Sequence, residues 1–321
     1  MYLAIEIGGT KLQLAVGSGQ DSSMVCLERA LVNPDLAADG IRRQITELGR
    51  SLMEQHDIGA IGIGFGGPID ASKGVVIKSY QINGWDGFPI VQWCEDSLGR
   101  PTCLGNDSDL AGLGEALFGA GRGHRLVLYS NVGSGIGGSM VIDGHLFTGG
   151  SGGAAEIGHL RPGLAAETPE QTVESLASGW GMAAVARKWM AERAATSDRS
   201  VETGVADLLQ RCGGDPHRLD GKILAAALAD GNRLAQRVFG QGIQAYGWAL
   251  AQAITLWGPH VVVVGGGVPR IGEQLYLSPL RAEIERYVMR PRVGTYEVVP
   301  AALGEEVVLH GALAIAASHE K

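Results

Sequence analysis

Cysteine is scarce in this sequence, and its placement excludes two common uses. The chain of 321 residues has four cysteines, none paired as C-x-x-C: Cys26, Cys94, Cys103 and Cys212. Cysteines scattered in this way predict neither a metal-binding cluster nor a disulfide framework. They are expected to be reduced and mostly buried thiols, as in a cytoplasmic protein.

Long apolar runs and basic runs are also missing. No apolar stretch reaches the roughly 18 residues that a membrane-spanning helix needs. The N-terminus lacks the basic and then apolar order of a secretory leader. A formal net charge of −8 disfavours nucleic-acid binding, which usually depends on basic patches. We therefore expect a cytoplasmic protein with neither a membrane nor a nucleic acid as partner.

Glycine, in contrast, is abundant, with 50 residues clustered where short apolar runs end. In Tyr2–Val16, two strand-length runs flank Gly8-Gly9-Thr10-Lys11, which predicts a hairpin. Paired glycines let backbone N–H groups approach an anion, and Lys11 adds a cation. Glu6, just before the turn, could hold Mg²⁺ directly or through water. An ordinary hairpin with a flexible tip explains the same residues.

A second unit of this kind makes the phosphate interpretation more specific. Leu126–Ser130 and Ser139–Ile142 are predicted strands around the glycine turn 131–138, NVGSGIGG. Two such hairpins, each opening one half of the chain, indicate duplicated domains that face a shared cleft. Each hairpin would then bind one end of a polyphosphate.

Periodicity predicts most of the remaining elements. Apolar residues recur at helical spacing over 39–55 and over 223–257, which predicts one helix in each range. Residues 58–65 form an apolar run that predicts a buried strand, and residues 75–80 an edge strand. The apolar stretch 307–317 predicts a helix that returns to the first domain.

Several polar side chains stand at predicted corners. Asn106 and Asp107 lie between a strand and a helix, where an N-cap explains one of the two but not both. Glu156 and His159 are three residues apart, so that one helical turn would present both on the same side; a capping glutamate and a structural histidine are the alternatives. Trp85, in a polar turn, either stacks on a ligand or packs against its own loop. Between a β-branched strand and a predicted helix, Gly265-Gly266-Gly267 would give a flat surface for a base or ribose.

These stretches together resemble the ROK family of sugar kinases, within the actin-like ATPase superfamily. The matching segments follow the family's order along the whole chain: IEIGGTKLQLAV, GFGGPID, NDSDLAGLGE, NVGSGIGGSMVIDG, GGSGGAAEIGHL, ESLASG and VVVVGGGV. The resemblance implies an α/β fold of the two-lobed actin-like ATPase (ribonuclease H-like) type, with duplicated domains around a central cleft. Residues 1–118 with 302–321 would form the small lobe, and residues 119–301 the large lobe.

The resemblance also implies an activity, the phosphorylation of a hexose by ATP with Mg²⁺, and a role for each matching residue. Asp107 would be the general base. The implied sugar-binding residues are Gly67, Asn83, Asn106, Asp107, Glu156, His159 and Glu174. The implied ATP and Mg²⁺ residues are Glu6, Gly8, Gly9, Thr10, Lys11, Gly133, Ser134, Gly135, Gly137, Gly265, Gly266 and Gly267.

The chain departs from the family pattern at two places. Many members bind a structural zinc through the histidine of the G-H motif and three following cysteines, but residues 160–175 contain no cysteine. A single histidine cannot complete a tetrahedral zinc site, so we expect no structural zinc and another hydrogen bond to orient His159. The family usually has Asp where this chain has Glu6, so the Mg²⁺ contact would be rearranged.

The substrate stays open at this point. The 6-hydroxyl of glucose is the first choice, with N-acetylglucosamine, N-acetylmannosamine, fructose, mannose and amino-sugars as alternatives. Sugar-responsive regulators of the same family carry an additional N-terminal DNA-binding segment, and a strand predicted from residue 2 disfavours that function. A catalytically idle sugar-binding protein is disfavoured because Asp107 is retained. By resemblance, a homodimer or homotetramer is expected.

Overall fold

The structure of the chain, a computed structural model, describes residues 1–150, 152–192 and 199–319. Ser151 of the segment GGSGGAAEIGHL lies outside the described residues. The chain divides into two compact units, the first formed by residues 1–129, 139–154 and 301–321, and the second by residues 130–138 and 155–300. The lobe boundaries expected from the resemblance stay a prediction.

The first sheet contains the N-terminal hairpin. Its strands, in spatial order, are β3 (Met24–Leu31), β2 (Lys11–Gly17), β1 (Tyr2–Ile7), β4 (Ala60–Phe65) and β7 (Thr102–Asn106). β1 pairs antiparallel with β2 and parallel with β4. β1, β2 and β4 are almost wholly buried, which is why they read as continuous apolar runs.

The second sheet repeats this strand order. Its strands, in spatial order, are β10 (His145–Phe147), β9 (Ile136–Ile142), β8 (Leu126–Val132), β11 (Val261–Gly265) and β12 (Glu297–Pro300). Ranked along the chain, both sheets therefore run third, second, first, fourth, fifth. The repeated glycine hairpin joins the first and second strands each time, as the sequence predicted. A separate two-stranded ribbon pairs β5 (Ile69–Asp70) with β6 (Val75–Val76).

Helices connect and cover these strands. They are α1 (Ala37–Gln55), α2 (Ile90–Leu98), α3 (Asp107–Phe118), α4 (Glu174–Ala177), α5 (Gly179–Ala191), α6 (Arg199–Arg211), α7 (Gly221–Ala229), α8 (Arg233–Trp257), α9 (Ser278–Tyr287) and α10 (Val307–His319). None of the helices in the described ranges combines the length and apolar character needed to cross a bilayer.

Two local predictions need correction, and the structure decides between the two alternatives left open for Trp85. The helix predicted over 223–257 is two helices, because Gly231 adopts φ +82° and the Asn232 side chain caps α8 by accepting from the Ala235 N–H at 2.9 Å. The edge strand predicted over 75–80 shrinks to the two residues of β6. Trp85 is fully buried, with its ring edge-on to Phe65 at 5.5 Å, so it packs beneath its own loop.

Glycines let α3 and α10 lie directly on the first sheet and on each other. A Cβ on Gly62 of β4 would stand 2.0 Å from the Ala312 carbonyl oxygen, and one on Gly311 would stand 2.0 Å from that of Leu110. Both carbonyls belong to helix main chain, which cannot move aside as a flexible side chain could. α10 thus packs against β4 and α3 at a separation that only glycine permits.

This packing reverses the usual effect of alanine in a helix. Gly→Ala inside a helix normally stabilises by about 0.5–1 kcal/mol. Gly311→Ala should instead destabilise by about 1–3 kcal/mol, because the added methyl overpacks against α3. Thermal and urea unfolding measure the change.

Gly240 of α8 is the matched control. It is an exposed helical glycine, and a Cβ there would meet nothing within 4 Å. Gly240→Ala should therefore follow the ordinary rule and stabilise. Equal changes in both variants would contradict the packing argument.

Candidate active site

The first glycine turn is closed by a main-chain hydrogen bond and is covered by the side chain of Gln81. The Gly8 N–H donates to the Lys11 carbonyl at 3.1 Å and closes the hairpin. The side chain of Gln81 lies over Gly9, where a Cβ would stand 1.8 Å from Gln81 Oε1. Thr10 is exposed, and Lys11 Nζ lies 3.5 Å from the carboxylate of Glu305. The turn therefore presents main-chain donors and a cation that already has an acidic neighbour.

A cavity in the first unit opens beside this turn. Its lining residues are Ile7, Gly8, Gly9, Phe65, Gly66, Ser79, Gln81, Ile82 and Trp85. Buried aromatic and aliphatic side chains and the backbone of three glycines line it together.

The corner between β7 and α3 divides its two polar residues between two uses. Asn106 is the N-cap of α3, and its Oδ1 accepts from the Ser108 N–H at 2.9 Å and the Asp109 N–H at 3.3 Å. Its Nδ2 donates to the Gly67 carbonyl at 3.1 Å. The N-cap interpretation therefore accounts for Asn106 but not for Asp107.

Asp107 is held by hydrogen bonds to one of its two carboxylate oxygens. Its Oδ1 accepts from the Ser108 N–H at 2.7 Å and lies 3.4 Å from the Ser108 hydroxyl. Its Oδ2 faces Gly66, where a Cβ would stand 3.2 Å away. Burial raises the pKa of Asp107 above its usual value, and the bonds from Ser108 oppose that rise.

Glu6 is the second carboxylate of this region. Burial raises its pKa, while the nearby Lys11 charge and a hydrogen bond from Gln13 lower it. The Asp107 charge raises the pKa of Glu6 further. Within the described residues, no three His, Cys, Asp or Glu side chains are grouped to hold a metal. The carboxylate of Glu6 nevertheless fits Mg²⁺, which usually takes one or two carboxylates together with phosphate oxygens.

The second glycine turn is held by a carboxylate. The Ile136 N–H donates to Glu174 Oε2 at 2.6 Å, and a Cβ on Gly135 would stand 2.7 Å from that same oxygen. On the other side of the turn, the Gly179 N–H at the start of α5 donates to the Gly133 carbonyl at 2.8 Å. Glu174, predicted only as a sugar ligand, therefore also supports this hairpin.

The glycine triplet after β11 approaches the same hairpin within the second unit. Gly266 has φ +92°, and a Cβ there would stand 2.3 Å from the Val132 carbonyl oxygen. A Cβ on Gly267 would meet nothing within 4 Å. The triplet is therefore closely packed at Gly266 and open at Gly267. An open backbone surface of this kind is what the predicted contact with a base or ribose needs.

The remaining predicted residues lie on exposed turns. Ile157–His159 forms a 3-10 turn in which the His159 N–H donates to the Glu156 carbonyl at 3.1 Å, and the side chains of both residues are exposed. The expected hydrogen bond that orients the His159 ring is not found among the described residues. Asn83 is exposed, and its carbonyl accepts from the Ala38 N–H at 3.0 Å.

The structure distributes the predicted residues between the two units. The first unit contains Glu6, Gly8, Gly9, Thr10, Lys11, Gly67, Asn83, Asn106 and Asp107. The second contains Gly133, Ser134, Gly135, Gly137, Glu156, His159, Glu174, Gly265, Gly266 and Gly267. Sequence reasoning missed Gln13 and Gln81. The signal for Gln13 was present, because it is the one polar residue inside the apolar run Leu12–Val16.

Comparison with known proteins gives this geometry a class. The chain is 31% identical over 317 residues to a glucokinase of Thermotoga maritima, covering 98% of this chain and 96% of that protein. It matches the crystal structure of a ROK family glucokinase from Streptomyces griseus in complex with glucose and AMPPNP, with TM-score 0.77, 29% identity and 99% coverage of both chains. A ROK hexokinase structure from Thermus thermophilus matches with TM-score 0.81 and 26% identity, over 99% of this chain and 98% of that one. The fold and the likeness define the class of ATP-dependent sugar kinases with the actin-like ATPase fold.

The family itself follows from a match over nearly the whole chain. The model of the ROK family matches residues 2–319. The chain belongs to the ROK family, which confirms the resemblance found in the sequence.

The buried carboxyl of Asp107 makes a prediction about stability that needs no substrate. In the unfolded chain this group ionises near its usual pKa of 3.8, and in the folded chain it ionises at higher pH. The folded state therefore holds the proton longer, so stability falls as pH rises through that window, and the loss persists at neutral pH. Asp107→Asn should raise the unfolding temperature at pH 7, and the gain should shrink as pH falls toward 4.

Asp70 provides a control of opposite sign in the same unit. Hydrogen bonds from Lys73 and Ser72 lower the pKa of Asp70 to about 2. Its ionised form favours the folded state, so stability from this group is present at neutral pH and is lost as pH falls. Asp70→Asn should lower the unfolding temperature slightly at pH 7. A lower unfolding temperature at pH 7 in both variants would contradict the explanation given for Asp107.

Proposed function

We propose that this chain is an ATP-dependent hexose kinase that transfers the γ-phosphoryl group to the 6-hydroxyl of glucose, with Asp107 as the general base. The observation that supports it most is the geometry of Asp107. One oxygen is fixed by Ser108, and the other faces Gly66, which has no side chain. A carboxylate oriented in this way is suited to take a proton from a hydroxyl bound beside it.

The reaction balances with the residues at hand. The sugar 6-hydroxyl would give its proton to Asp107 as its oxygen attacks the γ-phosphorus, and ADP would leave. Burial raises the pKa of Asp107 above its usual value and so moves it toward the working pH. A pKa near the working pH suits a group that must accept a proton and later release it. The remaining acceleration would come from alignment and from neutralisation of phosphate charge.

The other predicted residues fit binding roles. Asn106, Glu156, His159 and Glu174 would bind sugar hydroxyls, with Gly67 and Asn83 near them. ATP phosphates would lie on backbone N–H groups of the two glycine turns, and the adenosine on the open backbone at Gly267. The relatives named glucokinase and the glucose complex of the Streptomyces griseus protein support glucose as the first substrate to test.

Glu6 is the candidate Mg²⁺ ligand of the first unit. Its carboxylate lies at the end of β1, just before the first glycine turn, and carboxylates with phosphate oxygens are the usual environment of Mg²⁺. When bound, the ion would neutralise charge on the transferred phosphoryl group. Glu6 would hold it directly or through water.

Kinetics of Asp107→Asn test the proposed base. Phosphorylation of glucose by the wild type is measured by coupled ADP release, beside N-acetylglucosamine, N-acetylmannosamine, fructose and mannose. The variant should lose about 10²–10⁴-fold in kcat with little change in the KM for ATP, because the amide cannot accept the proton. The gain in thermal stability expected for the same variant would show that the loss is not unfolding.

Asp70→Asn is the matched control for activity as well. It removes one carboxylate from the same unit, at a residue whose contacts are with Ser72 and Lys73, and its kcat should be unchanged. Activity of Asp107→Asn near the wild-type level would rule out the proposed mechanism. Absence of ATP-dependent phosphorylation of every hexose would rule out the proposed function.

The absence of a structural zinc is a further prediction of the sequence. Metal analysis of the purified protein should find well below one zinc per chain, and EDTA should leave the unfolding temperature unchanged. One zinc per chain would overturn this expectation and the hypothesis that His159 is free to contact a sugar.

A further inference from the structure

A row of polar side chains crosses the first sheet and ends on Glu6. Glu6, Gln13 and Arg29 are direct neighbours on β1, β2 and β3. Gln13 Nε2 donates to Glu6 Oε2 at 2.7 Å, and Arg29 Nε donates to Gln13 Oε1 at 2.9 Å. Arg29 also pairs with the carboxylate of Glu306. We propose that Gln13, oriented by Arg29, is a positioning residue that fixes the Glu6 carboxylate for Mg²⁺·ATP; this rests on the proposed function.

Chemistry fixes the direction of this row. A guanidinium has only donors, so the side-chain oxygen of Gln13 must face Arg29. The NH₂ group of the Gln13 side chain then has to face Glu6. This NH₂ group also donates to the Glu305 carbonyl, which lies 3.3 Å from Nε2. Arg29 thus selects the one orientation of the amide in which Gln13 donates to a carboxylate.

Burial makes the row costly unless it has a purpose. Gln13 is 0% exposed, in a strand whose neighbours are apolar and equally buried. An apolar side chain there would avoid the cost of desolvating an amide, and a hydrogen-bonded amide contributes only about 1 kcal/mol net. Packing of the sheet therefore does not by itself call for glutamine at this position.

The other end of the row shows what is being fixed. On the far side of Glu6, the row continues as Gly64 of β4 and Gly105 of β7. A Cβ on Gly64 would stand 2.4 Å from Val308, and one on Gly105 would stand 2.7 Å from Leu110. These two glycines add no side chain beside Glu6, so hydrogen bonding from the Gln13 side has to orient it. A glutamate also has more rotamers to lose than an aspartate, and the row removes that freedom.

The test separates positioning from simple tethering of the segment that contains Glu305 and Glu306. Gln13→Met keeps the length of the side chain and removes its hydrogen bonds. Calorimetry measures binding of Mg²⁺·AMPPNP and of AMPPNP in EDTA, and activity is titrated with Mg²⁺ at saturating ATP and glucose. Arg29→Ala, at the half-exposed end of the row, is a second variant that leaves the core intact.

Gln13→Met should weaken binding of Mg²⁺·AMPPNP and raise the Mg²⁺ requirement on the order of 10-fold, the usual effect of losing a partner of a metal ligand. Binding of AMPPNP without metal should be unchanged. Arg29→Ala should act in the same direction and less strongly. In the background of Glu6→Gln, Gln13→Met should have no further effect, because it acts through the lost carboxylate.

Gln44→Met is the matched control. Gln44 is a half-buried glutamine of the same unit, and its Nε2 donates to the Leu31 carbonyl at 3.1 Å. It should leave both titrations at wild-type values. A Gln13→Met protein that equals the wild type, or that weakens binding equally with and without metal, would overturn the inference. So would additive effects with Glu6→Gln. If the wild type bound Mg²⁺·AMPPNP but phosphorylated no sugar, only the proposed function would fail.

Discussion

The first unit depends on direct contact between helix backbone and sheet. Gly62 and Gly311 are the points where a methyl group would stand 2.0 Å from a carbonyl oxygen of the opposing element. Because α10 can lie so close, the turn before it brings Glu305 and Glu306 against β2 and β3. Because α3 can lie so close, its N-terminus brings Asp107 beside Gly66 at the end of β4. Close packing of main chain thus determines where the charged groups lie.

That packing places carboxylates where water solvates them poorly. Burial raises the pKa of both Glu6 and Asp107, so their ionised forms oppose folding. Hydrogen bonds compensate part of this cost, from the Gln13 amide to Glu6 and from Ser108 to Asp107. Incomplete compensation of a buried charge is common at functional sites. A group whose hydrogen bonds are all made within the protein has few left for a ligand.

The sequence predicted the features that periodicity and bare backbone encode. The helix over 39–55 and both glycine hairpins follow from local pattern, and so does the family. The break before α8 depended on turn chemistry at Gly231 and Asn232, which an otherwise helical pattern concealed. Contacts between distant segments could not be predicted in this way. The row from Gln13 to Arg29 depends on strand register, and the bond from Ile136 to Glu174 spans 38 positions.

The two hairpins show how similar motifs can be supported differently. Both join the first two strands of sheets with the same order, and both use glycine at the tip. Each turn has a main-chain bond of its own, from Gly8 to Lys11 in the first and from Gly133 to Gly135 in the second. The outer supports differ, because Gln81 covers the first turn, whereas Glu174 and the N-terminus of α5 hold the second. Since Glu174 is also a predicted sugar ligand, any sugar it binds would act directly on the residue that shapes the second turn.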